Sequence, residues 1–131
     1  MTRMLVALLP LALALLGLPR ATLAAEKLHA AAAAPATMTF TVVNVEYEGT
    51  KMWVPGTIVV KKGTKVALKL VNNVPSDPNQ HGFAIPAYEI AEIVNRGEPK
   101  SVEFTANKVG VFPIICQLHP GHVGGELVVV P

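Results

Sequence analysis

The sequence contains a single cysteine, Cys116, among its 131 residues. A lone thiol cannot form a disulfide within the chain, even in an oxidising compartment, so no internal disulfide stabilises this fold. The thiol of Cys116 therefore needs another use, and burial or metal ligation are the two candidates.

An excess of charge is also absent from most of the chain. Eleven Lys and Arg residues stand against nine Asp and Glu residues. Arg3 and Arg20 belong to an N-terminal segment that we expect to be removed, which leaves nine basic against nine acidic residues. A near-neutral protein lacks the positive surface that binds polyanions, so we expect no nucleic-acid partner.

The N-terminus has the order of a secretory signal peptide. Arg3 precedes a leucine- and alanine-rich run, and small residues follow it up to Ala25. This order predicts a signal peptide over residues 1–25, with cleavage after Ala24 or Ala25. The alternative is an uncleaved membrane anchor, but Pro10 interrupts the run, which is short for a bilayer span of ~20 residues. We therefore expect a periplasmic or secreted protein with no membrane span after cleavage.

The remaining chain divides into a linker and one domain. Residues 26–37 are rich in alanine and predict a linker, whereas residues 38–131 show the alternation of β-strands. Seven or eight short strands, separated by Gly, Pro and Asn, predict an all-β domain, a Greek-key antiparallel β-sandwich. The stretch from Tyr88 to Val94 is ambiguous, because its apolar positions fit a helical turn nearly as well as a strand.

The loop from Cys116 to His122 places three candidate metal ligands within a Cys-x2-His-x2-His pattern, between two strand-like runs. Thiolate and imidazole suit copper or zinc and do not suit calcium or magnesium. Because residues remote in sequence meet at one end of a sandwich, His81 at the start of a strand can face this loop. The predicted metal ligands are His81, Cys116, His119 and His122.

These motifs resemble the cupredoxin superfamily over essentially all of residues 38–131. The resemblance is carried by three stretches: His81-Gly82-Phe83, Gly110-Val111-Phe112 and Cys116 to His119. Within the superfamily, four segments are similar to nitrosocyanin: Val59 to Gly63, Gly82-Phe83, Phe104 to Ala106 and Cys116 to Pro120. The spacing of the loop also resembles amicyanin. The resemblance implies one bound copper ion and electron transfer.

Two positions depart from the related proteins. Nitrosocyanin has a glutamate where this chain has His81, and most blue copper proteins have an axial methionine where this chain has His122. If His122 binds, a strong nitrogen donor favours Cu(II) and lowers the reduction potential. If it swings out, a coordination position is open to a small molecule; a third reading makes it a simple loop residue. We expect His122 to ligate.

The function we expect is a mononuclear copper protein that carries electrons between redox partners, such as a cytochrome or a copper enzyme. A second hypothesis is a nitrosocyanin-like open site that binds or converts a small nitrogen oxide, and a third is copper storage or delivery. A dinuclear copper site would need a second cysteine, and a multicopper oxidase would need His-x-His pairs. Zinc fits the ligand types, although structural zinc usually takes four closed ligands. A metal-free β-sandwich is the remaining alternative.

The resemblance also implies where electrons enter and leave the protein and how its chains associate. In cupredoxins the downstream histidine exposes its ring edge within an apolar patch, which assigns the electron port to His119 beside Pro120 and Val123. By analogy with nitrosocyanin, a homotrimer is a further expectation, with contacts in the segment from Glu46 to Pro55.

Overall fold

The computed structural model describes residues 37–131, which form nine β-strands and one short 3-10 helix. The predicted signal peptide and all but the last residue of the predicted linker lie outside the described residues. The strands are β1 (Thr37–Tyr47), β2 (Thr50–Val54), β3 (Thr57–Lys61), β4 (Lys65–Asn72), β5 (Gln80–Ile85), β6 (Ile90–Asn95), β7 (Lys100–Thr105), β8 (Gly110–Ile114) and β9 (Gly125–Val130). Within this part of the chain, no helix has the length and hydrophobicity that a membrane crossing requires.

One layer is a four-stranded sheet with the order β2-β1-β4-β7. Strand β4 shows why its sequence makes a strand with one buried face. Val66, Leu68 and Leu70 are buried, whereas Lys65 and Lys69 are exposed, as period-2 alternation requires. Strand β2 lies at the edge of this sheet, as its short length and the following Pro55 predict.

The other layer contains the three-stranded sheet β3-β9-β8 and the hairpin β5-β6. The two parts are joined by a bridge between Ala84 and Ile115. The backbone N–H of Ala84 donates to the Ile115 carbonyl at 2.9 Å, and the N–H of Ile115 donates to the Ala84 carbonyl at 3.0 Å. Strand β5 is therefore held beside the chain that leaves β8.

The predicted all-β sandwich is confirmed, with two differences in detail. First, β1 pairs with β4 and β3 pairs with β9 in parallel, so both layers are mixed rather than wholly antiparallel. Neither pair is joined by a hairpin, and strands connected through intervening elements are free to run parallel. Second, the ambiguous stretch resolves into a 3-10 helix, Pro86–Tyr88, followed by β6, which raises the strand count to nine.

The core lies between the two layers and contains apolar side chains from both. Trp53 of β2 and Phe83 of β5 meet edge to face, with ring centroids 5.2 Å apart. Burial of a large apolar side chain contributes about 1.5–3 kcal/mol, so this contact alone links the layers firmly. The fully buried set includes Val42, Ile58, Leu68, Leu70, Phe83, Ile85, Ile114 and Leu127. This core ends where β5 begins and β8 stops, which is where the predicted ligands lie.

Candidate metal centre

The structure brings together all four predicted ligands. Each of His81, Cys116, His119 and His122 offers one ligand atom, and these atoms all lie within 4.8 Å of one another. His81 comes from β5, and the other three come from the loop between β8 and β9. The cluster therefore combines one ligand from within a sheet with three from a single loop.

His81 is wholly buried near the start of β5. Neither of its ring nitrogens has a hydrogen-bond partner among the described residues. Burial, with smaller contributions from repulsion by the charges of His122 and His119, lowers the pKa of His81 to about 4. The ring is therefore neutral near pH 7, which is the form that binds a metal.

Cys116 is buried just after β8 and faces β5. The backbone N–H of Gly82 donates to the Cys116 Sγ at an N···S distance of 3.2 Å. The same sulfur lies 3.5 Å from the Nδ1 atom of His119. A hydrogen bond to the sulfur stabilises the charged thiolate, which is the ligating form of cysteine.

Two successive turns place the histidines of the loop. The N–H of His119 donates to the Cys116 carbonyl at 3.2 Å, and the N–H of His122 donates to the His119 carbonyl at 3.1 Å. The His119 and His122 rings stack with centroids 4.8 Å apart, and both side chains are half-buried. Burial lowers the pKa of His122, with smaller contributions from the charges of His119 and Lys51. The Cys-x2-His-x2-His spacing thus presents its three side chains to one point.

The loop is also tied to the strands around it. The N–H of Val123 donates to the Lys51 carbonyl on β2 at 3.0 Å. The side-chain Nε2 of Gln117 donates to the Glu92 carbonyl on β6 at 3.0 Å. These contacts fix both ends of the ligand loop, and sequence reasoning did not assign a role to Gln117.

A further role that sequence reasoning missed is the support that Trp53 gives to the backbone at Gly82. The indole Nε1 of Trp53 donates to the Gly82 carbonyl at 2.8 Å, so both polar groups of this glycine are engaged. A Cβ at Gly82 would overlap the side-chain amide of Gln117 and lie 3.0 Å from its backbone nitrogen. A glycine inside a buried strand signals close backbone approach, and this signal was available in His81-Gly82-Phe83.

The donor set fits one copper ion. A thiolate with two imidazoles and a fourth, variable ligand is the set that protein copper sites use, and the unpaired buried nitrogens of His81 leave it free to bind. A cavity of about 430 Å³ adjoins the loop side of the cluster and is lined by residues that include Cys116, His119 and His122. The β5 side of the cluster is sealed, and its loop side faces this cavity.

Comparison with known proteins gives a family match and a match to part of an enzyme. Residues 12–129 match the cupredoxin-like domain family. A 57-residue segment is 49% identical to nitrous-oxide reductase of Ralstonia nicotianae, and covers 44% of this chain but only 9% of that protein. These matches do not bear specifically on nitrosocyanin, so that narrower resemblance stays a prediction.

Solved structures share the fold. A copper-containing nitrite reductase from Thermus scotoductus superposes with a TM-score of 0.58 at 26% identity, covering 73% of this chain and 28% of that one. A copper-binding protein determined by NMR in its apo form superposes with a TM-score of 0.55 at 23% identity, covering 72% and 88%. Since the family match spans most of the sequence, the chain belongs to the cupredoxin-like domain family, with a single copper site.

Proposed function

We propose that this protein carries electrons one at a time between redox partners, with copper as the redox centre. The observation that supports it best is the compact cluster itself, whose ligand atoms already lie within 4.8 Å of one another. A carrier works fastest when its site changes little between oxidation states, and ligands held by strands and a pinned loop meet that need. When bound, copper supplies this chemistry by alternating between Cu(II) and Cu(I).

Each of the four candidate ligands has its own role in this proposal. His81, Cys116 and His119 would bind the ion through two imidazoles and a thiolate, and His122 would supply the fourth donor, at the position where most blue copper proteins have methionine. The Gly82 N–H stabilises the thiolate of Cys116 and keeps it from reorienting. An axial imidazole binds Cu(II) more strongly than a thioether does, so we expect a lower reduction potential than in a methionine-ligated site.

The proposed port for electrons is the His119 ring edge. Three apolar side chains of the loop are exposed around it: Ile115 at 39%, Leu118 at 40% and Val123 at 50%. Pro120 is exposed as well. Exposed apolar side chains suit brief docking, because contact between apolar surfaces excludes water without the cost of stripping it from ions. We propose that a cytochrome or a copper enzyme docks there.

The first test is the optical and EPR spectrum of the protein loaded with one equivalent of copper. The proposal expects strong thiolate-to-copper absorption, reversible reduction and reoxidation, and one copper per chain. Cys116→Ser is the matched control, since it keeps the shape of the loop and removes the thiolate, so the absorption must vanish. Copper that binds without reversible redox cycling would instead favour storage or delivery.

The cavity beside the cluster favours one second function, the binding or conversion of a small nitrogen oxide. Its walls include three of the four proposed ligands, so a small molecule within it would meet the ion directly. Azide and nitric oxide are the probes. A spectrum that shifts when either is added would support this second function, and a spectrum unchanged by both would support the closed site of a carrier.

We propose a periplasmic or secreted location, supported by the signal-like order of residues 1–25. Expression of the full chain in a bacterial host, followed by fractionation and N-terminal sequencing, tests it. A mature N-terminus at Ala25 or Glu26 in the periplasmic fraction is the expected result, and a full-length chain in the membrane fraction would contradict it. Light scattering on the same mature material tests the proposed homotrimer, which requires three times the chain mass.

A further inference from the structure

Asn44 on β1 is a wholly buried polar residue whose environment is unusual. Neither its side-chain nitrogen nor its side-chain oxygen has a hydrogen-bond partner within residues 37–131. Folded proteins rarely leave a buried amide unpaired, because the group loses its bonds to water and gains nothing in return. The side chain of Asn44 therefore needs a partner.

The sheet register shows which way the side chain points. Asn44 pairs with Trp53 on β2 and with Asn72 on β4. Register partners project from the same face of a sheet, and all three residues are buried. They form a lateral row that faces the second layer, with Asn44 in the middle.

Both outer members of this row reach the backbone beside His81. Trp53 donates to the carbonyl of Gly82, the residue after His81. Asn72 Nδ2 donates at 3.1 Å to the carbonyl of Val94, the register partner of His81 on β6. The side chain of Asn44, between them, is therefore directed towards this part of the β5-β6 hairpin, which includes His81.

His81 also lacks a hydrogen-bond partner. Its ring is wholly buried and both ring nitrogens are unpaired in the described part of the chain, yet only one nitrogen can serve the metal cluster. Metal-binding histidines generally donate the other ring N–H to an oxygen acceptor, which fixes the tautomer and the ring orientation. Two buried groups that lack partners thus lie on neighbouring parts of the two layers.

We propose that one internal water joins Asn44 to His81: it accepts the N–H of the His81 nitrogen that points away from the cluster and donates to the side-chain oxygen of Asn44. Asn44 is then a positioning residue, which acts on the metal only through His81. The inference rests on the proposed ligation of copper by His81. It concerns the imidazole itself, however, and can be tested without copper.

The first experiment uses NMR of the metal-free, ¹⁵N-labelled protein. We expect one ring N–H of His81 to be protected from exchange and to show a cross-peak to a bound water that also contacts Asn44. A ring N–H that exchanges freely, or that contacts another group instead, would overturn the proposal. Because this readout needs no copper, it stands apart from failure of the electron-carrier function.

Substitutions at Asn44 supply the second experiment. Asn44→Leu removes the acceptor at similar size, and we expect the protected ring N–H to be lost and copper affinity, measured by chelator competition, to fall about 10–100-fold. Asn44→Asp keeps an acceptor oxygen and should retain the ring N–H. Val42→Ala is the matched control, because Val42 is equally buried on the same strand: it should lower stability and leave copper affinity unchanged.

The opposite set of results would refute the proposal. If Asn44 is only an unpaired polar group, Asn44→Leu raises stability and leaves both the ring N–H and copper affinity as they were, which would refute the proposed role. If Asn44→Leu does not fold, the NMR cross-peak in the unaltered protein and the Asn44→Asp variant decide the question.

Discussion

Replacing Gly82 with alanine tests how closely β5 and the ligand loop must approach. The new Cβ would overlap the side-chain amide of Gln117, lie 2.6 Å from its Cδ and lie 3.0 Å from its backbone nitrogen. The exposed Gln117 side chain can move, at the loss of its bond to Glu92, but the backbone nitrogen follows Cys116 directly and can move only with the ligand loop.

The magnitude follows from two opposing effects. Overpacking of a buried site costs about 1–3 kcal/mol. Alanine also restricts the unfolded chain, which returns about 0.4–1 kcal/mol. With the middle value of each range, we expect Gly82→Ala to lower the free energy of unfolding by about 1–2 kcal/mol, which in a domain of this size lowers Tm by roughly 4–16 °C.

The assay is urea and thermal unfolding of the metal-free protein, followed by the spectrum of the copper-loaded form. Gly121→Ala is the matched control, because a Cβ there meets nothing within 4 Å, and its effect should stay within about 0.5 kcal/mol. Adding Gln117→Ala to Gly82→Ala removes the side-chain overlap and should restore part of the loss, with a coupling above about 0.5 kcal/mol. If Gly82→Ala proves as stable as Gly121→Ala, the argument from close approach is wrong.

Three further predictions follow from the same contacts. Trp53→Phe keeps the aromatic contact with Phe83 but leaves the buried Gly82 carbonyl unpaired. Unfolding experiments should therefore show a free energy of unfolding lower by about 1–3 kcal/mol. An unchanged stability would mean that the indole hydrogen bond is dispensable. His122→Met should move the copper spectrum towards that of ordinary blue copper proteins if His122 is axial, and an unchanged spectrum would count against axial ligation. Acid should destabilise the metal-free protein, because folding lowers the pKa of His81 from 6.5 to about 4. As the pH falls below 6.5, the unfolded state binds a proton on this histidine that the folded state does not bind. About 3 kcal/mol of the stability present above pH 6.5 is therefore lost as the pH falls towards 4. Urea midpoints between pH 4 and 7 measure this loss, and His81→Gln should flatten the profile.

The ligand cluster could be predicted from sequence because its chemistry is local. Three donors lie within one loop, and their Cys-x2-His-x2-His spacing determines a pair of turns that the structure contains. His81 was harder, since it lies 35 positions before Cys116, and only the sandwich topology brings the two together. The structure places all four at one point, and their ligation of copper stays a prediction.

Other features depended on pairing between layers, which strand periodicity does not encode. Alternation identified β4 and its buried face but could not show that β4 runs parallel to β1. The same limit hid the roles of two residues. An apolar residue such as Trp53 is expected in the core, and it is buried, yet its bond to Gly82 depends on how the layers face each other. Asn44 looked like one polar residue in a strand, and only its register beside Trp53 and Asn72 directs it towards the part of the β5-β6 hairpin that includes His81.

The two sides of the cluster differ in a way that bears on function. His81 is sealed within the sandwich and is held in its neutral form by burial, so it offers a fixed nitrogen. His119 and His122 are half-buried beside the cavity, on the loop side of the cluster. A small molecule that entered this cavity would therefore meet the loop side of the cluster, where His122, the last of the three loop donors, lies. The choice between a closed electron carrier and an open site for a small molecule thus depends on whether the His122 ring stays on the metal.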